Sequence, residues 1–417
     1  MLFELLSTAS MAGIAGTSFY FKNKNAANDH EKIIKIADYA GLKTKEGSIR
    51  IYRKTKHKNH TEYVYKVPLG LSFQQFKDVE QKFIDGLNNK SRPDLNLANL
   101  KNIDWKGDVV KQLKDIIQNR VKLDKKIEME FDGMLKIRVY EKGLEKLYLF
   151  DEKMLGKVRG WKVPIGFTYK DFILHDFEER PHMIVAGATG FGKSEFVKLL
   201  ISVLVSNKPD QVRFHLIDLK GGAELGPFRD MKQAINFGRN VKEAKVVLEA
   251  IQEDMNNKLE YLFEKGFKDI KRAGQKERDF IVIDEAADLD DECKELVTDI
   301  SRRGRAAGYR LIYTTQYPTN ETLPSQVRAN IGARVCFRLE TGAQSRAVLD
   351  ENGAEDIPEI EGRAIFRRVR NYIVQTPYME EEMINKIIKP HIIKKEGLGA
   401  TKDTRTPRAN PFEFKES

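Results

Sequence analysis

The sequence predicts an α/β fold in which a parallel sheet is covered by helices on both faces and preceded by a small mixed α/β module. Three observations carry that expectation. From Pro181 onward apolar runs alternate with helical stretches, the order that builds a parallel sheet with crossover helices. The strand candidates are residues 182–186, 212–218, 280–284, 310–315 and 334–339, and several are nearly continuous in apolar side chains, as expected for strands buried on both faces. The first run is joined to the helix after it by a glycine-rich loop, which suits a sharp strand-to-helix connection.

Composition narrows the class. The 417 residues allow two or three domains, each with its own core. Lys and Arg outnumber Asp and Glu by 72 to 62, and the formal charge of +10 favours a polyanionic partner, nucleic acid or an anionic membrane surface. The two cysteines, Cys293 and Cys336, lack metal-ligand spacing and the density of a disulfide framework. They read as small buried hydrophobes in a reducing compartment.

Taken in order, the chain begins with a stretch, residues 5–21, that carries no charge and is followed at once by Lys22 and Lys24. Its length is the short limit for a transmembrane anchor, and the flanking lysines put the rest of the chain on the cytoplasmic face. A buried or interfacial helix is the alternative, which leaves the protein cytoplasmic. A cleaved signal peptide fits poorly, because no basic residue precedes the apolar run. Residues 22–66 hold twelve Lys or Arg against five Asp or Glu, a face suited to anionic lipid, to DNA or simply to water. Alternation at 48–54 and 61–67 predicts strands, and a helix follows over 72–87. Ile127, Met129 and Phe131, then Asp132-Gly133, then Leu135, Ile137 and Val139 predict a hairpin. The expected divisions are an anchor at 1–21, a basic mixed α/β module at 22–125, a β-rich lead-in at 126–178, a motor at 179–378, and a C-terminal helix with a disordered tail at 379–417.

The chemistry lies at the strand ends. Gly187-Ala188-Thr189-Gly190-Phe191-Gly192-Lys193-Ser194 fits the phosphate-cradling loop G-x-x-x-x-G-K-[ST], set between a strand and a helix as that loop must be. The helix carries Phe196, Leu199, Leu200, Val203 and Leu204 on one face. Glycines let backbone N–H groups turn inward around phosphate oxygens, and the helix adds its positive dipole end. Lys193 is expected to reach the β and γ phosphates and Ser194 to ligate Mg2+. The run Phe280-Ile281-Val282-Ile283 ends in Asp284 and Glu285. Asp284 is placed to hold the Mg2+ shell, and Glu285 to polarise a water for attack on the γ-phosphate, which favours hydrolysis over transfer. Acids that merely cap a helix after the strand are the plainer alternative. A third apolar strand ends in Thr315 and Gln316, polar groups suited to sensing the γ-phosphate.

These segments, in this order, resemble FtsK/SpoIIIE-family DNA translocases. The resemblance rests on residues 181–194, on Ile217-Asp218-Leu219-Lys220-Gly221-Gly222-Ala223-Glu224-Leu225, and on Asp284-Glu285-Ala286-Ala287-Asp288. It continues through Arg305-Ala306-Ala307-Gly308 to Thr314-Thr315-Gln316, then Arg328-Ala329-Asn330-Ile331, residues 345–350 and Gly353-Ala354-Glu355, and spans roughly residues 160–378. It implies a RecA-like P-loop NTPase that assembles as a homo-oligomeric ring, a hexamer, and pulls DNA through its channel with ATP and Mg2+. Arg305 matches the arginine that completes a neighbour's site, with Arg302, Arg303 and Arg346 as substitutes. Lys220, Arg229, Lys232 and Arg239 follow the second strand, where a pore loop would project, although each could equally be solvated.

The chain resembles chromosome-segregating members less well: it has one candidate span, no long linker, and too few residues after Pro377 for a winged-helix domain. Its compact plan is similar to the coupling ATPases of conjugative elements in Gram-positive bacteria. That resemblance implies a place at the cytoplasmic face of the bacterial membrane, with a relaxase and a secretion channel as partners. Two rival readings stand beside it: a ring ATPase that moves protein substrates in secretion, and a nucleotide-dependent membrane adaptor without processive motion.

Overall fold

The computed structural model describes residues 29–393 apart from 46, 58, 90, 94–119 and 123. The anchor expected at 5–21 and the tail expected at 394–417 lie outside the described residues. No helix among the described residues is long and apolar enough to cross a membrane. The chain divides into two compact units, Met1–Gly143 and Leu144–Ser417.

In the first unit, helix α1 (29–39) is followed by the short pair β1 (Lys43–Thr44) and β2 (Gly47–Ser48), then β3 (Arg50–Lys56) and β4 (His60–Lys66). The helix expected over 72–87 is two helices, α2 (Phe73–Asp78) and α3 (Glu80–Asn88), separated by the β-branched Val79 at φ −110° and ψ 15°. A second short pair, β5 (Ser91–Pro93) and β6 (Arg120–Lys122), precedes the hairpin β7 (Lys126–Phe131) and β8 (Leu135–Tyr140). Gly133 takes φ 67° in that turn, a conformation that a Cβ would strain. The antiparallel sheet β3-β4-β8-β7 buries Tyr63, Tyr65, Ile127, Met129, Ile137 and Val139 against Ile33, Phe76 and Phe83 of the helices. Its other face is polar: Arg138 donates to Glu62, Glu128 and Glu130. Period-two alternation on a half-buried sheet produces this division.

The second unit is built on one ten-stranded sheet. After helix α4 (Glu152–Lys157) come β9 (Lys162–Phe167), β10 (Phe172–Asp176), β11 (Met183–Ala186), helix α5 (Lys193–Asn207), β12 (Val212–Asp218) and β13 (Ala234–Gly238). Helix α6 (Val241–Glu264), β14 (Arg278–Asp284), α7 (Asp291–Arg303) and β15 (Tyr309–Thr315) follow. The remainder is α8 (Ser325–Asn330), β16 (Ala333–Phe337), α9 (Gly342–Leu349), β17 (Arg363–Arg367), β18 (Asn371–Gln375) and α10 (Glu381–Ile388).

The expectation of a parallel sheet holds for the neighbours β16-β11-β15-β14-β12-β13 and is corrected for β10-β9-β18-β17, which pair antiparallel. The loops from β9 to β10 and from β17 to β18 are too short for a crossover and can join only antiparallel neighbours. The segment 126–178 is accordingly shared: β7 and β8 belong to the first unit's sheet, β9 and β10 to this one.

Alternate residues of each parallel strand enter two cores, one on each face. Met183, Val185, Phe214, Leu216, Phe280, Val282 and Ile312 pack with α5 and α10, whereas Ile184, Ala186, Ile217, Ile281, Ile283, Leu311 and Tyr313 pack with α6 to α9. Each Val, Leu, Ile, Phe or Met among them, once fully buried, contributes about 1.5–3 kcal/mol. Helix α5, expected to bury a single face, is buried on nearly every side because Ile384 and Ile388 of α10 cover the side turned from the sheet. Cys293 and Cys336 are free and buried.

Candidate nucleotide site

The parallel register brings the strand ends together. β11 pairs with β15, placing Ala186 beside Thr315, and β14 pairs with β12, placing Asp284 beside Asp218. At this shared carboxyl-terminal edge the chain leaves β11 as the loop from Gly187 to Gly192. Gly187 N–H donates to Thr315 O at 3.2 Å, Ala188 N–H to Arg338 O at 2.9 Å, and Gly362 N–H to Phe191 O at 3.0 Å. Gly190 and Gly192 have φ of 85° and 98°, the left-handed region that favours glycine. A Cβ on Gly187 would lie 2.5 Å from Cβ of Phe337, so backbone and strand pack there with no room for a side chain. Helix α5 begins at Lys193, and the free N–H groups of its first turn point back into the loop.

The side chains converge on the same edge. Lys193 Nζ donates to Asp284 Oδ1 at 2.6 Å and to Thr314 Oγ1 at 3.3 Å, and the Thr314 hydroxyl donates to the same carboxylate oxygen at 2.7 Å. Burial by itself would push the Asp284 carboxyl up, but Lys193 and the Thr314 hydroxyl outweigh it and hold the group below its usual range. Asp284 Oδ2 is buried and accepts no hydrogen bond among the described residues.

Glu285 stands at φ 55° and ψ 56°, one of two non-glycine residues in the left-handed region among those described. That conformation costs roughly 1–2 kcal/mol and turns its side chain off the line of the strand. Its Oε1 accepts the Gln316 N–H at 3.0 Å and the Thr315 hydroxyl at 3.3 Å. The Lys220 ammonium lies 3.1 Å from Oε2, a charge contact rather than an aligned hydrogen bond. Thr189 of the loop donates to Gln316 Oε1 at 3.0 Å. Lys193, Asp284, Glu285, Gln316 and the loop are therefore one cluster.

The residues present suit Mg2+. A carboxylate oxygen left without a donor, with the Ser194 hydroxyl next in chain to Lys193, is a hard oxygen set, and Mg2+ takes few protein ligands because substrate phosphates and water supply the rest. No group of three or more His, Cys, Asp or Glu able to hold a metal occurs among the described residues, so no all-protein cage competes for that role.

Arg305 does not join this cluster. It precedes β15 whereas Gln316 follows it, and a seven-residue strand separates them by roughly 20 Å. Its side chain is exposed and makes no hydrogen bond or ion pair with any described residue, while Arg302 and Arg303 are both held by Asp299 and Arg346 by Asn352. The four cations expected on a pore loop are each paired within the chain: Lys220 with Glu285, Arg229 with Asp230, Lys232 with Asp210, and Arg239 with Glu243.

Two residues of the quoted motifs, Thr314 and Asp218, take roles here that the sequence reading did not assign to them. Thr314 rather than Thr315 bonds Asp284, as the pairing of Ile283 with Tyr313 in the parallel register requires. Asp218 braces the next loop by accepting N–H groups of Lys220, Glu224 and Leu225.

A parallel sheet with a glycine loop, a lysine and two acids at its carboxyl-terminal edge defines a P-loop ATPase. A family model described as FtsK/SpoIIIE family matches residues 158–369, just over half of the chain, and the chain belongs to that family. The DNA translocase FtsK of Streptococcus pneumoniae is 32% identical over 240 residues, which cover 52% of this chain and 30% of that protein. The DNA translocase FtsK of Chlorobaculum tepidum is 32% identical over 208 residues, 45% of this chain and 26% of that one. The chain thus spans less than a third of the length of these relatives. Among solved structures, the pCW3 conjugation coupling protein TcpA, a monomer with ATPγS, superposes with a TM-score of 0.57 at 20% identity, covering 87% of this chain and 99% of that one. The cytoplasmic domain of the Thermomonospora curvata type VII secretion ATPase EccC gives 0.51 at 22% identity, covering 60% and 33%. At such identities the structural likenesses speak to fold alone.

Proposed function

We propose that this chain is an ATP-driven DNA translocase that works as a hexameric ring and feeds relaxase-bound DNA to a conjugative transfer channel. One observation carries the motor reading: the phosphate loop, Asp284, Glu285 and Gln316 meet at one edge of the sheet, while Arg305, exposed and unpaired among the described residues, lies at the other. An arginine that cannot reach its own site suits a site completed between copies. In this reading residues 179–378 are the motor and residues 5–21 hold it at the cytoplasmic face of the membrane. The conjugative part of the reading rests on the compact plan of the sequence, and the solved chain of a conjugation coupling protein has a similar fold over 99% of its length.

Lys193 and the loop amides would bind the triphosphate, and Ser194 and Asp284 would hold Mg2+, which would supply positive charge to offset that of the phosphates. Glu285 orients and deprotonates water, Gln316 reports the γ-phosphate to Thr189, and Arg305 of the adjacent copy meets charge developing on the transferred group.

The test is ATP turnover of the full chain with and without long duplex DNA. Turnover is expected to rise several-fold with DNA and to vanish in Lys193→Ala and in Glu285→Gln. Stimulation by a secreted protein instead of DNA would assign the chain to protein transport, and indifference to both would make it an adaptor.

A further inference from the structure

Lys220 was expected to face a DNA channel, yet its ammonium sits 3.1 Å from a carboxylate oxygen of Glu285. The placement follows from register: Asp218 and Asp284 are side by side, so Lys220, two residues beyond the first, meets Glu285, one beyond the second. The loop is pinned at its base by the Asp218 carboxylate, and Gly221 and Gly222 at φ 81° and 87° turn it outward. Lys220 is about one-third exposed at 35%, whereas the Glu285 side chain is 4% exposed. The lysine therefore reaches from solvent into a buried site.

Glu285 is thereby engaged at both oxygens, Oε1 by the Gln316 N–H and the Thr315 hydroxyl and Oε2 by the lysine. A carboxylate acting as a base needs a free lone pair directed at the water it activates. Lys220 is also the part of this contact that a polyanion in solution can touch.

We propose that Lys220 is a gate on Glu285, holding the carboxylate out of use until the phosphate backbone of DNA draws the ammonium away. This inference rests on the reading of Glu285 given above. The gate couples occupancy of the track to hydrolysis, because DNA has to interact differently with the two positions of the lysine in order to shift between them.

The experiment compares steady-state ATP turnover of the full chain as wild type, Lys220→Ala, Lys220→Gln and Lys220→Arg, each with and without plasmid DNA. Turnover without DNA is expected to rise at least ~3-fold in the Ala and Gln variants, a small part of the about 10²–10⁴ that a positioned base supplies. Their KM for ATP stays at the wild-type value, stimulation by DNA falls below about twofold, and the Arg variant keeps the low basal rate. A merely structural lysine would lower turnover when removed, so a basal rate that stays level or falls in the Ala and Gln variants overturns the gate. Glu285→Gln separates the two ideas: if it hydrolyses ATP like wild type, the reading of the site fails, and if it is inactive while Lys220→Ala keeps the wild-type basal rate, only the gate fails.

Discussion

Nζ of Lys193 lies 2.6 Å from Oδ1 of Asp284, and both side chains are almost wholly buried. The ion pair joins the loop that would grip phosphates to the strand end that would hold the metal. In the proposed reading a triphosphate would offer Lys193 a new partner, and a bound cation would stand in for it as the counter-charge of Asp284.

Removing the lysine leaves that balance broken. In Lys193→Met a buried carboxylate loses its counter-charge, which costs about 3 kcal/mol and lowers the melting midpoint of the apo protein by roughly 6–12 °C. Adding Asp284→Asn should restore most of the midpoint and none of the turnover. Calorimetry beside an ATPase assay measures both, and a double variant that melts no higher than the single one would contradict the pairing argument.

Arg305→Ala is expected to bind nucleotide normally and hydrolyse none. Mixed with Glu285→Gln subunits, it should regain part of its turnover, since each partner supplies what the other lacks. Absence of recovery in co-assembled rings would count against a site shared between copies.

His182 gives the fold a defined acid sensitivity. Its Nδ1 accepts the Leu311 N–H at 3.0 Å, which leaves the ring proton on a buried Nε2 that has no hydrogen-bond partner among the described residues. Burial, helped by Arg310 and Arg305, pulls the ring down to about 3. The folded state keeps it neutral while the unfolded chain takes up a proton near 6.5, so its contribution is present above pH 6.5 and lost as pH falls from 6.5 towards 3. Urea midpoints measured from pH 7 to pH 5 should fall less steeply in His182→Asn than in wild type.

Gly187→Ala would set a Cβ 2.5 Å from Cβ of Phe337. Neither atom is the free end of a flexible chain, so the loop must move off β16, at about 1–3 kcal/mol. The expected result is a lower melting midpoint with a raised KM for ATP, and an unchanged KM would show that the loop tolerates the shift.

Much of the fold was legible. The runs at 182–186, 212–218, 280–284, 310–315 and 334–339 correspond to β11, β12, β14, β15 and β16 within two residues at either end. Such strands carry their own signal, since a strand covered on both faces is rich in apolar side chains along most of its length. β13 and the pair β17 and β18 carry little of it: Asn236, Arg363, Arg367, Asn371 and Gln375 interrupt them, and their pairing is set by neighbours far away in sequence. The break at Val79 was equally hidden, because Phe76 and Phe83 keep a helical spacing through it. The site divides in the same way. Lys193, Asp284 and Glu285 announce themselves through local motifs, but Thr314 and Lys220 owe their positions to registers between strands.

By itself the sequence determined the phosphate loop, the two acids that follow the apolar strand and the family to which they belong, since a backbone that wraps phosphate needs glycines in fixed order whatever surrounds them. Only the tertiary structure decided that Lys220 touches Glu285 and that Arg305 stands at the far end of its strand. Those relations depend on which strands lie side by side and in what register, and hydrogen bonds between distant segments set both.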